Sequence, residues 1–385
     1  MTVEVCPIGA QCHHVCVYCY QNRQQTTTDL VQEYDIQKIK KTIEVEGRPF
    51  TLSGCEPLLI SKHDLEELWS WGFFCWGHNS LQTNGVLIDE DHIRMFQHYN
   101  VTVGISIDGP DELNNARGTG QLLTTRLSTA KTQANILRLC DENISLSLIV
   151  TLHRLNATGS RLDCLQQWLR ELDEVGVKLV RLNLLEVDKE ITQEDLTLSV
   201  EENVNALISL AQFEKTLSNL RFELFDDIKK QLLGRDNSRA CICNACDPLT
   251  SRAVREIEDF DQHRSYMRKN KKGIEYVKAE SVGFERYMSL YNTPQEYNGC
   301  SGCRFFLMCK GNCPGTAIDG DWRNRTSHCP IWLQIFKYFE EELLNAGQVP
   351  LSQQPQKRCK VESIIYEGWS RGENIYVHQV LGRTV

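Results

Sequence analysis

Between about residues 48 and 190 the chain alternates short β-rich apolar runs with amphipathic helical patterns, which restricts it to folds built from βαβ units around a parallel sheet. The pattern predicts strands over 49–52, 80–83, 102–107, 145–152 and 178–185. Helices are predicted over 35–46, 63–71, 89–99, 127–141 and 162–175. A further strand before residue 12 makes about six β/α units, and the fold class is α/β, an incomplete TIM-like barrel. In such barrels function collects at the carboxyl ends of strands. The residues just after each strand are therefore the candidate site.

The first strand runs into Cys12-His-His-Val-Cys16-Val-Tyr18-Cys19, a C-x3-C-x2-C loop. Three thiolates at that spacing can hold three corners of a cubane [4Fe–4S] cluster. A zinc knuckle completed by His13 or His14 is the alternative. The chain has 385 residues and 17 cysteines, an odd number, and no secretory signal precedes the loop. Disulfides are therefore not expected, and metal sites are the natural use of so many thiols. No apolar run reaches the ~20 residues that span a bilayer, so a cytoplasmic protein with no membrane partner is expected. The net charge of −9, with no long Lys/Arg run, argues against nucleic acid as a partner.

With aromatic Tyr18 before its last Cys, the loop resembles that of the radical S-adenosylmethionine (SAM) superfamily. The resemblance implies that Cys12, Cys16 and Cys19 bind a [4Fe–4S] cluster whose fourth iron chelates the amino and carboxylate groups of SAM. The activity implied is hydrogen abstraction by a 5′-deoxyadenosyl radical. Gly54-Cys55-Glu56-Pro57 is similar to the superfamily's G-G-E-P segment, with Cys55 in place of the second Gly. Glu56 and nearby backbone carbonyls would hold the SAM ammonium. Asn84, in Leu81–Gly85, follows the next strand, and Ser106 and Asp108 in the segment 104–110 would point at the cofactor or substrate cavity. Segment 150–156 is a further family-like strand end. The resemblance also brings Ser128 to the SAM ribose and Leu184 to the adenine, although Leu184 equally fits the core. No general base follows from the sequence.

Beyond residue 230 the periodicity fades and cysteines accumulate. Cys300-x2-Cys303-x5-Cys309-x3-Cys313, followed by Cys329, resembles the SPASM extension of peptide-modifying radical SAM enzymes. That resemblance implies two auxiliary [4Fe–4S] clusters, hence three in all with the SAM cluster. The outer auxiliary would use Cys300, Cys303, Cys309 and Cys329. Cys313 would join the inner one with Cys241, Cys243 and Cys246, which stand where the family has a different spacing. A zinc ribbon is the alternative for this region too. The expected domains are a radical SAM core over 1–230, a SPASM-like auxiliary domain over 231–345, and a linker and tail over 346–385. Within them, 260–273 reads as a solvated charged loop, 331–345 as a closing helix, 348–356 as a linker and 361–385 as a terminal hairpin.

SPASM enzymes mostly modify ribosomally made precursor peptides, and that is the activity expected here. The passages 246–250 and 313–317 resemble spliceases, which excise tyramine and leave a β-amino acid. With the cluster loop starting at Cys12, an N-terminal leader-binding domain finds no room, so a separate leader-peptide-binding protein is expected, together with an external electron donor. The alternative is an anaerobic sulfatase-maturating enzyme, which oxidises Cys or Ser to formylglycine. The altered inner-cluster segment stands against it. A non-catalytic zinc-binding interaction protein is the alternative of another class.

Overall fold

The computed structural model describes residues 3–9, 11–19, 34–54, 56–186, 194–237, 255–257, 263–265 and 284–383. The chain divides into two compact units, Met1–Phe222 with Arg255–His263, and Glu223–Val254 with Arg264–Val385.

The first unit is a parallel sheet of β1 (Val3–Val5), β2 (Phe50–Leu52), β3 (Asn79–Thr83), β4 (Val101–Ser106), β5 (Leu146–Leu152), β6 (Leu179–Leu184) and β7 (Arg221–Phe222). Each strand pairs with the next in sequence, and β8 (Arg255–Ile257) adds to β1 in parallel. This singly wound order is what an incomplete barrel requires, and it brings the carboxyl ends of β1 to β6 to one edge. The crossovers carry α1 (Ile36–Glu46), α2 (Lys62–Trp76), α3 (Glu90–His98), α4 (Leu122–Asp141), α5 (Gly159–Glu174) and α6 (Val200–Glu214). Val3, Val5, Leu52, Val103, Ile105, Leu148, Val150 and Val180 are wholly or almost wholly buried. Both faces of a crossover-covered sheet leave water, which is why its strands read as continuous apolar runs.

Local chemistry sets the helix ends. The Asp35 carboxylate accepts from the Gln37 and Lys38 amides at the start of α1, and Gly47 closes that helix at φ +61°. Ser199 and Glu202 form a reciprocal cap at the start of α6. Two predicted helices were too short. α2 continues through Gly72 to Trp76, because this glycine packs against the sheet: a Cβ there would overlap Asn79 Oδ1 and come within 2.8 Å of Phe50 Cε1. α4 begins at Leu122, a turn before the predicted start.

The second unit contains α7 (Glu223–Leu232), α8 (Glu285–Asn292), a short turn α9 (Phe306–Cys309), α10 (Cys329–Asn345), α11 (Pro355–Ser370) and α12 (Val377–Arg383). The expected terminal hairpin is instead the helical pair α11 and α12. Val361, Ile365 and Trp369 are buried at four-residue intervals, a helical period that outweighs the β-branched run Ile364-Ile365. The expected linker is packed: Leu351 is buried, and α11 starts with Pro355 at its first position. The charged loop at 260–273 lies outside the described residues apart from 263–265. No described helix is long and apolar enough to cross a membrane.

Candidate active site

The cysteine loop leaves β1 and is tied down on both flanks. The Glu56 amide donates to the Gln11 carbonyl at 3.0 Å, and Val15 and Val17 donate to the carbonyls of Gly118 and Ala116 at 2.7 and 2.9 Å. Cys12 Sγ accepts from the His14 amide at 3.3 Å. Burial pushes the Cys12 thiol up to about 11 and the Cys16 thiol up to about 12; Cys19 raises both further, and Cys12 adds to the rise at Cys16. The Cys12 and Cys16 thiols stay neutral at pH 7 unless a metal takes up their charge.

Among the described residues, one group of three or more Cys, His, Asp or Glu side chains has all its ligand atoms within 4.8 Å, and it is His63, Asp64 and Glu67. Neither cysteine set meets that distance. A single tetrahedral zinc, with bonds of about 2.3 Å to sulfur, draws its thiolates closer together than that. Thiolates on separate corners of a cubane stand further apart, so a looser set such as Cys12, Cys16 and Cys19 fits an iron–sulfur cluster.

Beneath the loop lies a charged hub. Asp108, two residues past β4, has no exposed surface. Its carboxylate accepts from the Thr151 amide at 2.9 Å, from the Tyr18 hydroxyl, and faces His153 Nε2 at 3.2 Å. Arg117 Nε lies 3.0 Å from its other oxygen, and the guanidinium also stands over the Tyr18 ring. Burial pushes the carboxyl up, yet Arg117, His153 and Tyr18 together hold it at about 2. Asp108 therefore stays ionised and joins β4, β5 and the cysteine loop.

Glu56, just after the described end of Gly54, is also buried. Its carboxylate accepts from the Leu58 amide at 3.1 Å, the Thr83 hydroxyl at 2.7 Å and the Asn84 amide at 2.8 Å. All three donors are neutral. Burial raises its pKa, so the ionised carboxylate gains from any cation brought to it. Asn84 side-chain nitrogen lies 3.5 Å from His13 Nε2, which places the end of β3 beside the cysteine loop.

The remaining predicted residues are more loosely placed. Gly54 adopts φ +92° and turns the chain out of β2. Ser106 ends β4 and is half-buried, as are Ser128 on α4 and Leu184 at the end of β6, opposite Leu152. Cys55 lies outside the described residues, as do Cys241, Cys243 and Cys246. In the second unit, Cys300, Cys303 and Cys329 interact electrostatically, and burial pushes Cys300 up to about 12. Cys309 ends α9 and Cys313 precedes the turn Pro314–Thr316. Arg117 and His153 were not singled out as site residues from the sequence. Their partner Asp108 lies 9 and 45 positions away, and only the fold brings the three together.

The Radical SAM superfamily matches over residues 6–157. This span is a radical SAM domain. The chain is 22% identical over 392 residues to the cysteine-type anaerobic sulfatase-maturating enzyme of Clostridium perfringens (strain 13 / Type A), covering 90% of this chain and 98% of that protein. A serine-type anaerobic sulfatase-maturating enzyme of Bacteroides thetaiotaomicron is 30% identical over 125 residues, 29% of this chain and 30% of the relative. Among solved structures, native anSMEcpe with bound AdoMet superposes with a TM-score of 0.68 at 18% identity, covering 90% of this chain and 98% of the other. Its complex with AdoMet and the Cp18Cys peptide gives 0.65 at 20% identity. The chain thus carries a radical SAM domain and shares its fold with that solved structure. These relatives give the splicease reading no support and favour the sulfatase-maturase alternative; the non-catalytic reading is set aside.

Proposed function

We propose that this radical SAM enzyme oxidises the β-carbon of a Cys side chain in a polypeptide to an aldehyde, as its maturase relatives' names suggest for sulfatases. The observation that carries the reading is the end-to-end correspondence with the cysteine-type relative, 90% of one chain on 98% of the other. Cys12, Cys16 and Cys19 would hold the SAM-binding [4Fe–4S] cluster, and the outer and inner auxiliary clusters would use the two sets in the second unit. When bound, cluster and SAM supply the 5′-deoxyadenosyl radical that takes a hydrogen atom.

The chain's own residues do the positioning. Glu56, which accepts hydrogen bonds from the neutral Leu58, Thr83 and Asn84 donors, would hold the ammonium of SAM. Asp108 and Arg117 keep the cysteine loop in one conformation through Tyr18. The net change on the substrate is loss of two electrons and two protons from the Cys side chain: one hydrogen atom would go to the 5′-deoxyadenosyl radical, the second electron to an auxiliary cluster and the second proton to solvent. Water then replaces the resulting thiocarbonyl sulfur by oxygen and releases sulfide. An external one-electron donor is needed to start each turnover.

The altered Cys241, Cys243 and Cys246 segment favours a second reading, modification of a ribosomally made precursor peptide, and a separate leader-binding protein belongs only to it. The test is anaerobic incubation of reconstituted enzyme with SAM, reductant and a sulfatase-derived peptide carrying Cys. An aldehyde on that peptide, trapped by a hydrazide, is expected. SAM cleavage that responds to a precursor peptide and ignores the sulfatase peptide would transfer the assignment to the second reading.

A further inference from the structure

Three arginines act on the thiols of the second unit, and each keeps a guanidinium N–H that its pairing does not use. The Nε atoms of Arg304, Arg325 and Arg358 are each buried without a hydrogen-bond partner. All three guanidinium groups act electrostatically on Cys303, and Arg325 acts on Cys300 and Cys329 as well. The three come from separate segments: the residue after Cys303, the stretch leading into α10, and the first turns of α11.

Their charges are only partly balanced. Arg304 pairs with buried Glu340 and stacks over the Phe305 ring at 4.8 Å. Arg358 Nε lies 3.7 Å from Glu362. Arg325 donates to the Gly299 carbonyl at 2.6 Å, beside Cys300, and among the described residues no carboxylate pairs with it. A buried guanidinium with an unused N–H is costly unless something acidic sits beside it. A neutral thiol is only a weak acceptor and does not answer that need. A cluster ligated by four thiolates does, because it carries net negative charge and acceptor sulfurs. Arg286 is different: its fork is spent on the carbonyls of Trp322, Lys310, Asn312 and Asn324, which brace the loops around Cys309 and Cys313.

We propose that Arg304, Arg325 and Arg358 form a cationic shell that hydrogen-bonds the sulfurs of the outer auxiliary cluster and holds its reduction potential high. The inference rests on the iron–sulfur reading of this cysteine set and is independent of the substrate. The physical reason is that reduction adds one negative charge, which nearby fixed cations and N–H···S bonds stabilise more than the oxidised form. The arginines act through the cluster as positioning residues.

The test is an EPR-monitored redox titration of the full chain, reconstituted anaerobically in a background of Cys12→Ala, Cys16→Ala and Cys19→Ala so that only auxiliary irons remain. Arg325→Gln and, separately, Arg358→Gln are compared with Arg325→Lys. The expected result is unchanged iron with a fall of roughly tenfold in the reduced-to-oxidised ratio at a fixed potential for Arg325→Gln, about 59 mV for one electron. A smaller fall is expected for Arg358→Gln, whose charge Glu362 partly offsets, and Arg325→Lys should keep most of the wild-type value. Iron lost in Arg325→Gln and kept in Arg325→Lys would also support the charge requirement. Unchanged potentials at full iron in both Gln variants would overturn the proposal. So would iron lost equally in the Gln and Lys variants, which marks a purely structural role. Zinc in place of iron would refute the cluster reading itself, a failure separable from that of the shell.

Discussion

Replacing Asp108 by Asn removes the negative charge at the centre of the hub and leaves Arg117 buried opposite a neutral amide. The carboxyl sits at about 2 against an ordinary 3.8, so its ionised form is favoured by about 2 kcal/mol in the folded state. Because the folded value is depressed, this contribution is complete above the unfolded value near pH 4 and is lost as pH falls through about 2. At pH 7 the substitution forfeits all of it and strands Arg117, and breaking such a buried pair costs about 3–5 kcal/mol. With a urea slope of about 2–3 kcal/mol/M, the unfolding midpoint should fall by roughly 1–2 M. Iron should fall as well, because Tyr18 loses its acceptor and the loop bearing Cys16 and Cys19 loosens. Adding Arg117→Met removes the stranded cation, so the double variant should be less destabilised than the sum of the two single changes. A midpoint within about 0.2 M of wild type, the ~0.5 kcal/mol scatter among surface variants divided by that slope, with iron intact would refute the hub's role.

Other consequences follow from the same contacts. Cys16→Ala should abolish SAM cleavage, since only three protein thiolates hold that cluster; retained 5′-deoxyadenosine production contradicts the assignment. Because Cys12 and Cys16 titrate at about 11 and 12 before iron is bound, cluster assembly must release their protons. The initial rate of reconstitution should rise close to tenfold from pH 7 to pH 8, measured by absorbance growth, and a flat profile counts against neutral thiols. Asp173→Ala should destabilise the first unit by about 3 kcal/mol, because the carboxylate accepts from the amides of Ser218, Asn219 and Leu220. Its urea midpoint decides this. Gly72→Ala should also destabilise, since the new methyl group overlaps Asn79 and crowds Phe50; a thermal midpoint equal to wild type would exclude that clash.

The sheet was legible in the sequence because strands buried on both faces are continuous apolar runs, and β3 to β6 were found to within a residue or two at each end. Helix ends were less so. A glycine normally weakens a helix, and nothing local in Trp69–Phe73 signals that Gly72 is there for its contact with Phe50 across the sheet. In the tail, Ile364-Ile365-Tyr366 has strand-like composition, but tertiary burial of Val361, Ile365 and Trp369 selected the helix. Cys12, Cys16 and Cys19 could be grouped in the sequence because their spacing is local. Asp108 was singled out for its strand-end position, while its role depends on Tyr18, Arg117 and His153, partners no local pattern connects. The same holds for Arg304, Arg325 and Arg358, which converge on Cys303 from three segments.

The central claim, hydrogen abstraction from the β-carbon of a substrate Cys, is tested most directly with a sulfatase-derived peptide deuterated at that carbon. After anaerobic turnover with reconstituted enzyme, the account predicts deuterium in 5′-deoxyadenosine and an aldehyde at the labelled residue. Unlabelled 5′-deoxyadenosine accompanying a modified peptide would contradict it and move the abstracted hydrogen to another site.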